Sequence, residues 1–182
     1  MPPPASANAA SSTAMGTRAE ANAAGALAVG GGLAGSSVDL DGDGNAEAVL
    51  EPTRANGLNA VAMGNGTHAG GDYSTAVGID AQASGRGASA WGVGARANAE
   101  RSTAIGFGAV ADRAGTVSVG SSGQERQVVN VADGTLGTDA VNLRQMNAAI
   151  AGVGGGGAAT DLSGVAAALG GGASWNAATS TF

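Results

Sequence analysis

The sequence predicts an all-β solenoid in the form of a flattened parallel β-roll. A short phrase recurs at 14-residue intervals as AVAMG, STAVG, ASAWG, STAIG and TVSVG, ending at Gly64, Gly78, Gly92, Gly106 and Gly120. So short a period cannot enclose a folded unit, so each copy must be one coil that buries its apolar side on its neighbours. Alternating residues mark two short strands in every coil, and glycine marks the turn between them.

Each coil is numbered from the first residue of the phrase, so that Ser74 is position 1 and Gly78 is position 5. Position 4 is a larger apolar residue, whereas positions 3, 8 and 10 are small. Alternation places positions 2 and 4 on one face of the first strand and position 3 on the other, and alanine there leaves room for only a narrow lumen. The sequence leaves open whether position 4 faces the lumen or a partner chain. Trp91, at this position, is expected to pack in a core.

Composition indicates that a single roll needs partners. Aromatic residues make up 3% of the chain and glycine supplies 34 of its 182 residues, so one roll buries little apolar area to offset the entropy of ordering its backbone. A net charge of -6 gives no reason to expect a nucleic-acid partner. The absence of cysteine excludes disulfides, a thiolate nucleophile and Cys-ligated zinc.

The roll is predicted to occupy residues 12–30 and 60–123, with an insertion at 31–59 that breaks the period. The runs SSVDL and EAVLE flank DGDGN, which predicts a β-hairpin leaving the roll. Solenoids often bind through such insertions, so Ser36 to Glu51 are the candidate ligand-contact residues.

A calcium loop is the alternative interpretation of this insertion. Asp39, Asp41 and Asp43 match the start of an EF-hand loop, but the twelfth position is Leu50 where a bidentate glutamate belongs. The plain hairpin is therefore preferred, with no metal expected.

No group of residues has the pattern of a catalytic site. His68 is the single histidine, with no cysteine and no serine-histidine-aspartate pattern near it, and it is expected to be a loop residue. We expect no enzymatic activity and no cofactor.

After the roll, the sequence predicts a β-rich neck at 124–138 and a short coiled-coil helix at 139–153, with Thr138 as the N-cap and Asp139 in the first turn. The apolar seam steps by 3, 4 and 3 residues and needs partner helices; it consists of Leu143, Met146, Ile150 and Val153. Residues 154–182 are predicted to be a glycine-rich linker and either a frayed tail or the start of a further head module resembling the tryptophan-ring kind, marked by Trp175. Residues 1–11 are predicted to be a disordered leader or an added segment, without an export signal.

The phrases STAVG and STAIG at 14-residue spacing, followed by RQVVNVADGTLGTDAVNLRQM, closely resemble the head and neck of the YadA-like trimeric autotransporter adhesins of Gram-negative bacteria. The resemblance implies a homotrimer of left-handed β-rolls, a neck that joins the head to a three-stranded coiled coil, and display on the outer membrane. The expected trimer and neck contacts are Val128, Val131, Val141, Leu143, Met146, Ile150 and Val153.

Two functions follow from these observations. The first is an adhesin head that attaches bacteria to host cells or extracellular matrix, with membrane contact only through a C-terminal anchor that this sequence does not include. The alternative is an ice- or polysaccharide-binding β-solenoid, indicated by the pairs Ser12-Thr13, Ser74-Thr75 and Ser102-Thr103. Other coils interrupt that ladder, and such a solenoid has no use for a neck.

Overall fold

Two units make up the structure, a computed structural model that describes residues 4–31, 37–38, 47–48 and 52–154. The first unit runs to Arg126 and the second begins at Gln127. Within the described residues, no helix is both long and apolar enough to cross a membrane.

The first unit is built from two parallel sheets, each with seven strands in the described part of the chain. Sheet A contains β1 (Ser6–Ala7), β3 (Glu20–Ala21), β7 (Arg54–Ala55), β9 (His68–Ala69), β11 (Gln82–Ala83), β13 (Arg96–Ala97) and β15 (Val110–Ala111). Sheet B contains β2 (Thr13–Met15), β4 (Leu27–Val29), β8 (Val61–Met63), β10 (Thr75–Val77), β12 (Ser89–Trp91), β14 (Thr103–Ile105) and β16 (Val117–Ser118). Strands are numbered in chain order, and successive strands of the roll alternate between sheet A and sheet B. The predicted parallel solenoid is therefore confirmed.

Register between coils follows the sequence period. Ala76 in β10 pairs with Ala62 on one side and Ala90 on the other, and the remaining pairs of sheet B stack equivalent positions in the same way. Because equivalent positions lie above one another, each position of the repeat becomes a straight row along the roll.

The core of the roll is a column of alanine. Position 3 of sheet B and position 10 of sheet A meet inside, and Ala62, Ala76, Ala83 and Ala97 are fully buried. Alanine is the largest apolar residue in the buried rows that line the lumen, because the larger apolar residues of the roll are partly exposed. The narrow lumen expected from the sequence is therefore present.

The insertion is shorter than the predicted span of 31–59. Arg54 in β7 pairs with Glu20 in β3, and the two residues are 34 apart, twenty more than one coil. Thus 32–51 is the inserted segment, and residues 52–59 form the second half of a regular coil. The chain leaves after position 6, at Gly31, and returns at position 7, at Pro52, so the insertion interrupts one coil between its two strands.

Inside the insertion, β5 (Ser37–Val38) pairs antiparallel with β6 (Glu47–Ala48), which is the pairing of a hairpin. The calcium candidates Asp39, Asp41 and Asp43 lie outside the described residues, as does most of the candidate contact segment from Ser36 to Glu51. At the N-terminal end of the roll, β1 lies within the predicted leader at 1–11. Ser6 and Ala7 nevertheless belong to the roll, because they add a further strand to sheet A.

The second unit contains one described helix, α1 (Leu143–Gly154). It begins four residues later than predicted. The Asp139 carboxylate accepts hydrogen bonds from the backbone N–H groups of Thr135 and Leu136, both at 2.9 Å, which closes a turn in place of a helical start. Neither Thr138 nor Asp139 opens the helix, and residues 127–142 carry no strand pairing in the described chain, so the neck is not β-rich in the way predicted.

Candidate functional site

An exposed apolar face covers sheet B. Positions 2 and 4 of its strands point away from the lumen, as alternation requires, and position 4 carries Met15, Val29, Met63, Val77, Trp91 and Ile105. Trp91 and Ile105 are each 46% exposed. The expectation that Trp91 packs in a core is wrong for the single chain, because position 4 lies outside the alanine lumen.

The turn after sheet B widens this apolar face. Position 6 holds Ile79, Val93 and Phe107 in consecutive coils, and Phe107 is 51% exposed. Rows of large apolar side chains on a regular surface mark an interaction site, because monomeric proteins rarely expose contiguous patches of this kind.

Sheet A has the opposite character. Its outward position 9 carries Glu20, Arg54, His68, Gln82 and Arg96, and only the last strand has an apolar residue there, Val110. Arg54 Nε donates to Glu20 Oε2 at 3.1 Å across neighbouring coils. His68 lies in β9 rather than in a loop, because its position pairs with Arg54 and Gln82 in the sheet.

A ladder of side-chain amides borders sheet A at position 11. Asn8 Nδ2 donates to Asn22 Oδ1 at 2.6 Å, and Asn22 Nδ2 donates to Asn56 Oδ1 at 2.7 Å. The second of these bonds spans the insertion, since Asn22 and Asn56 are one coil apart in the stack. This polar face is compatible with water, so the two outer faces of the roll differ in chemistry.

The corner that precedes sheet B carries a third kind of surface. Leu58, Arg86 and Glu100 occupy position 13, and Tyr73 and Arg101 occupy position 14. We call these five residues the corner patch. The Arg86 guanidinium carbon lies 5.6 Å from the centroid of the Tyr73 ring, and Glu100 Oε1 lies 4.0 Å from Arg86 Nη1 and 3.6 Å from Arg101 Nε.

The serine-threonine rows do not form an outer ladder. Ser74 and Ser102, at position 1, are fully buried, whereas Thr75 and Thr103, at position 2, face outward. The two residues of each pair thus lie on opposite sides of the roll wall. Ser74 Oγ has no hydrogen-bond partner, whereas the hydroxyl of Ser102 donates to the carbonyl oxygen of Ala99 at 2.8 Å.

Arg126 closes the last coil. In earlier coils the position-6 carbonyl oxygen accepts a backbone N–H, as Ile79 does from Gly94 at 2.9 Å. The equivalent carbonyl oxygen of Phe107 instead accepts Arg126 Nη2 at 2.5 Å, and the carbonyl oxygen of Val119, at position 4 of the next coil, accepts Nη1 at 2.6 Å. The guanidinium therefore replaces the donors that a further coil would supply.

In the second unit, polar side chains fix the neck loop to the start of α1. Asp133 Oδ1 accepts Asn142 Nδ2 at 2.7 Å and Arg144 Nη2 at 2.6 Å. Those two donors, Asn142 first, hold the pKa of the Asp133 carboxyl below its usual value. Backbone N–H groups of Leu136 and then Thr135 lower the pKa of Asp139 in the same direction.

Asn142 and Gln145 cap the helix reciprocally. Asn142 Oδ1 accepts the Gln145 N–H at 3.0 Å, while Gln145 Oε1 accepts the Asn142 N–H at 3.4 Å and the Gly134 N–H at 2.9 Å. Sequence reasoning missed these neck residues. The spacing Asn-x-x-Gln before the apolar seam is a capping-box signal that could have found them.

The predicted trimer and neck contacts are largely exposed in the single chain. The side chains of Val128, Val141, Leu143, Met146 and Ile150 are between 47% and 67% exposed, and that of Val131 is half-buried. The side chain of Val153 lies outside the described part. Among the described residues of this unit, no apolar side chain is buried, so the seam has nothing within the unit to pack against.

Two family models match this chain. The model described as the YadA head domain repeat matches residues 7–32, 55–81, 83–109 and 97–122, and the model described as the coiled stalk of trimeric autotransporter adhesin matches 127–169. The head matches together span about half of the chain and skip the inserted segment.

A search of curated proteins found no match. Among solved structures, the chain is similar to the collagen-binding domain of the Yersinia adhesin YadA, at 22% identity over 69% of this chain and 97% of that one, with a TM-score of 0.29. So low a score carries no weight for the fold, which the strand pairing itself establishes.

Proposed function

The chain belongs to the YadA-like trimeric autotransporter adhesins, and we propose that it forms the homotrimeric head and neck of a bacterial surface adhesin that attaches to host cells or extracellular matrix. The apolar face of sheet B is the observation that carries this proposal. It is regular and exposed, and it lies on a roll whose buried apolar residues, among those described, are all alanine.

Three identical rolls can cover that face for one another. Equivalent residues recur once per coil, so a three-fold axis parallel to the roll would bring each position-4 row against the same rows of two other chains. Burying one large apolar side chain contributes about 1.5–3 kcal/mol, which a roll with an alanine core lacks by itself. The exposed seam of α1 needs partner helices for the same reason.

Attachment is then a property of the outer surface, formed by sheet A, the corners and the insertion. We propose display at the outer membrane of the bacterium, as in the family, and binding without enzymatic activity. A repetitive trimer presents each weak contact three times, so that simultaneous contacts raise the total affinity.

The ice- or polysaccharide-binding solenoid is not favoured. That function needs a flat row of hydroxyls, whereas Ser74 and Ser102 face the lumen and only the neighbouring threonines face outward.

The purified chain, screened against matrix proteins and cultured host cells, tests the proposal. A variant lacking residues 32–51 should be screened beside it, to separate binding through the insertion from binding through the roll. We expect saturable binding to at least one cell or matrix surface. Absence of binding to every surface by a well-folded trimer would contradict an adhesive function.

A further inference from the structure

The exposed large apolar side chains of the roll lie on sheet B and on both of its flanks. Among the described residues, those on the strands themselves are Met15, Met63, Trp91, Ile105 and Val117. Those beside the strands are Leu58 and Tyr73, which lie in the corner patch just before them, and Ile79 and Phe107, which lie just after them at position 6. We call Ile79, Val93 and Phe107 the position-6 row. Because the strands of sheet B are parallel, the corner patch and the position-6 row lie at opposite flanks of the sheet.

Cyclic symmetry would bring these two flanks together. In a closed ring, each chain contacts its two neighbours through different surfaces, because the interface is heterologous. The proposed trimer directs sheet B towards the three-fold axis, so one flank of each roll faces the opposite flank of the next roll. The corner patch of one chain therefore faces the position-6 row of its neighbour, and neither surface meets its own copy.

The same symmetry fixes which residues face each other. Rotation about an axis parallel to the roll moves no residue along it, so residues at equal heights meet. Tyr73 and Ile79 are six residues apart in a 14-residue coil that rises by about 4.8 Å, so their heights differ by less than half a coil. Arg101 and Phe107 are related in the same way, two coils further along the roll. Tyr73 and Phe107, by contrast, differ in height by more than two coils, which is about 12 Å.

The facing side chains are chemically compatible. Tyr73 is 51% exposed and Ile79 is 39% exposed, so contact between them would remove apolar surface of both from water. Two coils further along, the Arg101 guanidinium lies at the height of the Phe107 ring, which is 51% exposed and can accept a cation–π contact. The same assembly therefore covers the exposed apolar surface of both flanks.

The charges around the corner patch are balanced within the chain, which favours a neutral partner. Arg86 and Arg101 lie 4.0 and 3.6 Å from the Glu100 carboxylate, and Asp72 adds a second carboxylate at position 13. The position-6 row carries no charge, so contact with it leaves each guanidinium beside the carboxylate that it already has. An uncharged surface of a second copy therefore fits the patch better than an ionic ligand does.

We infer that, in the trimer, the corner patch of each chain packs against the position-6 row of the next chain, with Tyr73 beside Ile79 and Arg101 beside Phe107. The inference rests on the proposed homotrimer and deepens it by naming the surfaces through which neighbouring rolls meet. Sheet A, the adjoining parts of the corners and the insertion remain on the outer surface for attachment.

Paired cysteines test this contact in a chain that has no cysteine of its own. Disulfides form only between residues whose Cα atoms lie within about 7 Å. The pairs Tyr73→Cys with Ile79→Cys and Arg101→Cys with Phe107→Cys place cysteines at matched heights. The pair Tyr73→Cys with Phe107→Cys is the control, since it combines two of the same substitutions at unequal heights. Within one chain, strand β10 separates Tyr73 from Ile79 by more than about 10 Å, so a disulfide in the first pair must join two chains.

We expect oxidation to convert both matched pairs into covalent trimers on a non-reducing denaturing gel, and to leave the control pair as single chains. Absence of cross-linking in matched pairs whose reduced forms are trimers by light scattering would overturn the inference and leave the proposed trimer standing. Equal cross-linking of the control pair would also overturn it. A native chain that is a folded monomer would instead contradict the proposed function, and the inference with it.

A double-mutant cycle covers the case in which the cysteine variants do not fold. Tyr73→Asn introduces a residue suited to left-handed backbone, since Asn59 occupies the same position with φ of 51°. Tyr73→Asn and Ile79→Ser should each lower the thermal midpoint of the trimer, and the double variant should lose less than the sum. Because the two residues lie at opposite flanks of one roll, such coupling reports contact between chains. Additive losses would overturn the inference.

Discussion

Small residues set the distances between coils and sheets. A Cβ atom at Gly85 would overlap the carbonyl group of Ala99 in the next coil and lie 2.9 Å from the Glu100 nitrogen. Gly108 differs, since its φ is 60° and nothing lies within 4 Å of a Cβ there. The roll thus uses glycine for two separate reasons, close backbone approach and left-handed backbone.

Comparing Gly85→Ala with Gly108→Ala separates these two reasons. Gly85→Ala should lower the free energy of unfolding by about 3 kcal/mol or more, because the clashing atoms are backbone. Gly108→Ala should cost about 1–2 kcal/mol, the price of left-handed backbone alone. Chemical denaturation of both variants measures the difference, and equal losses would refute the distinction.

The neck depends on two carboxylates whose pKa values lie below their usual 3.8. Since folding lowers these pKa values, their stabilisation is fully present above the unfolded value and is lost as the pH falls through the folded values. We expect the amide NMR signals of residues 134–136 and the start of α1 to be unchanged between about pH 7 and 5 and to shift below about pH 4.

Asp139→Asn provides the control for this pH dependence. It removes the charge that holds the Thr135 and Leu136 N–H groups, so the turn should loosen at pH 7 and its remaining response to acid should shrink. An identical acid response in native protein and variant would assign the effect to other groups.

At the scale of elements, the insertion separates cleanly from the roll. β4 and β7 belong to one coil, and the amide ladder from Asn22 to Asn56 continues across the gap. The chain departs at a corner between the two strands, where long insertions disturb the stack least.

Deleting residues 32–51 should therefore restore a 14-residue coil and leave the roll folded. Position 7 has left-handed backbone at Asp80 and Gly94, which proline cannot adopt, so the deletion should be combined with Pro52→Gly. We expect the variant to remain a trimer, with the mass of three shortened chains, and to have a thermal midpoint within a few degrees of the native protein. The deletion with Pro52 retained is the matched control and should be less stable. Collapse of the trimer in both variants would show that the insertion interlocks the chains.

At the scale of the whole molecule, assembly of the trimer is expected to depend on the contrast between the apolar outer face of sheet B and the polar outer face of sheet A. Ile105 on sheet B and Gln82 on sheet A are both outward strand residues, one on an apolar face and one on a polar face. The proposed trimer buries the first and leaves the second in water.

Ile105→Asp should consequently dissociate or unfold the trimer, because an unpaired charge buried at three equivalent places costs several kcal/mol each. Gln82→Asp should leave the mass and thermal stability nearly unchanged. Light scattering measures the mass of both variants, and a native protein that is a folded monomer at micromolar concentration would contradict the homotrimer itself.

The sequence by itself determined the repeat, the two strands per coil, the alanine lumen and the family. A 14-residue period with glycine at position 5 allows few other folds, because backbone geometry and alternation act locally. The apolar spacing also predicted the helix that contains Leu143, Met146 and Ile150, since helical periodicity is a property of consecutive residues, whereas their packing against partner helices stays a prediction.

Only the tertiary structure decided where the insertion ends, where the roll begins and which face of sheet B points outward. The end of the insertion at residue 51, the strand at Ser6–Ala7 and the outward direction of Trp91 all depend on pairing with distant coils, which no local pattern encodes. The helix start at Leu143 is different, because it depends on local contacts: Asp139 accepts the Thr135 and Leu136 N–H groups, and Asn142 accepts the Gln145 N–H. The corner patch is a tertiary feature, since stacking brings Tyr73, Arg86 and Arg101 together from three successive coils.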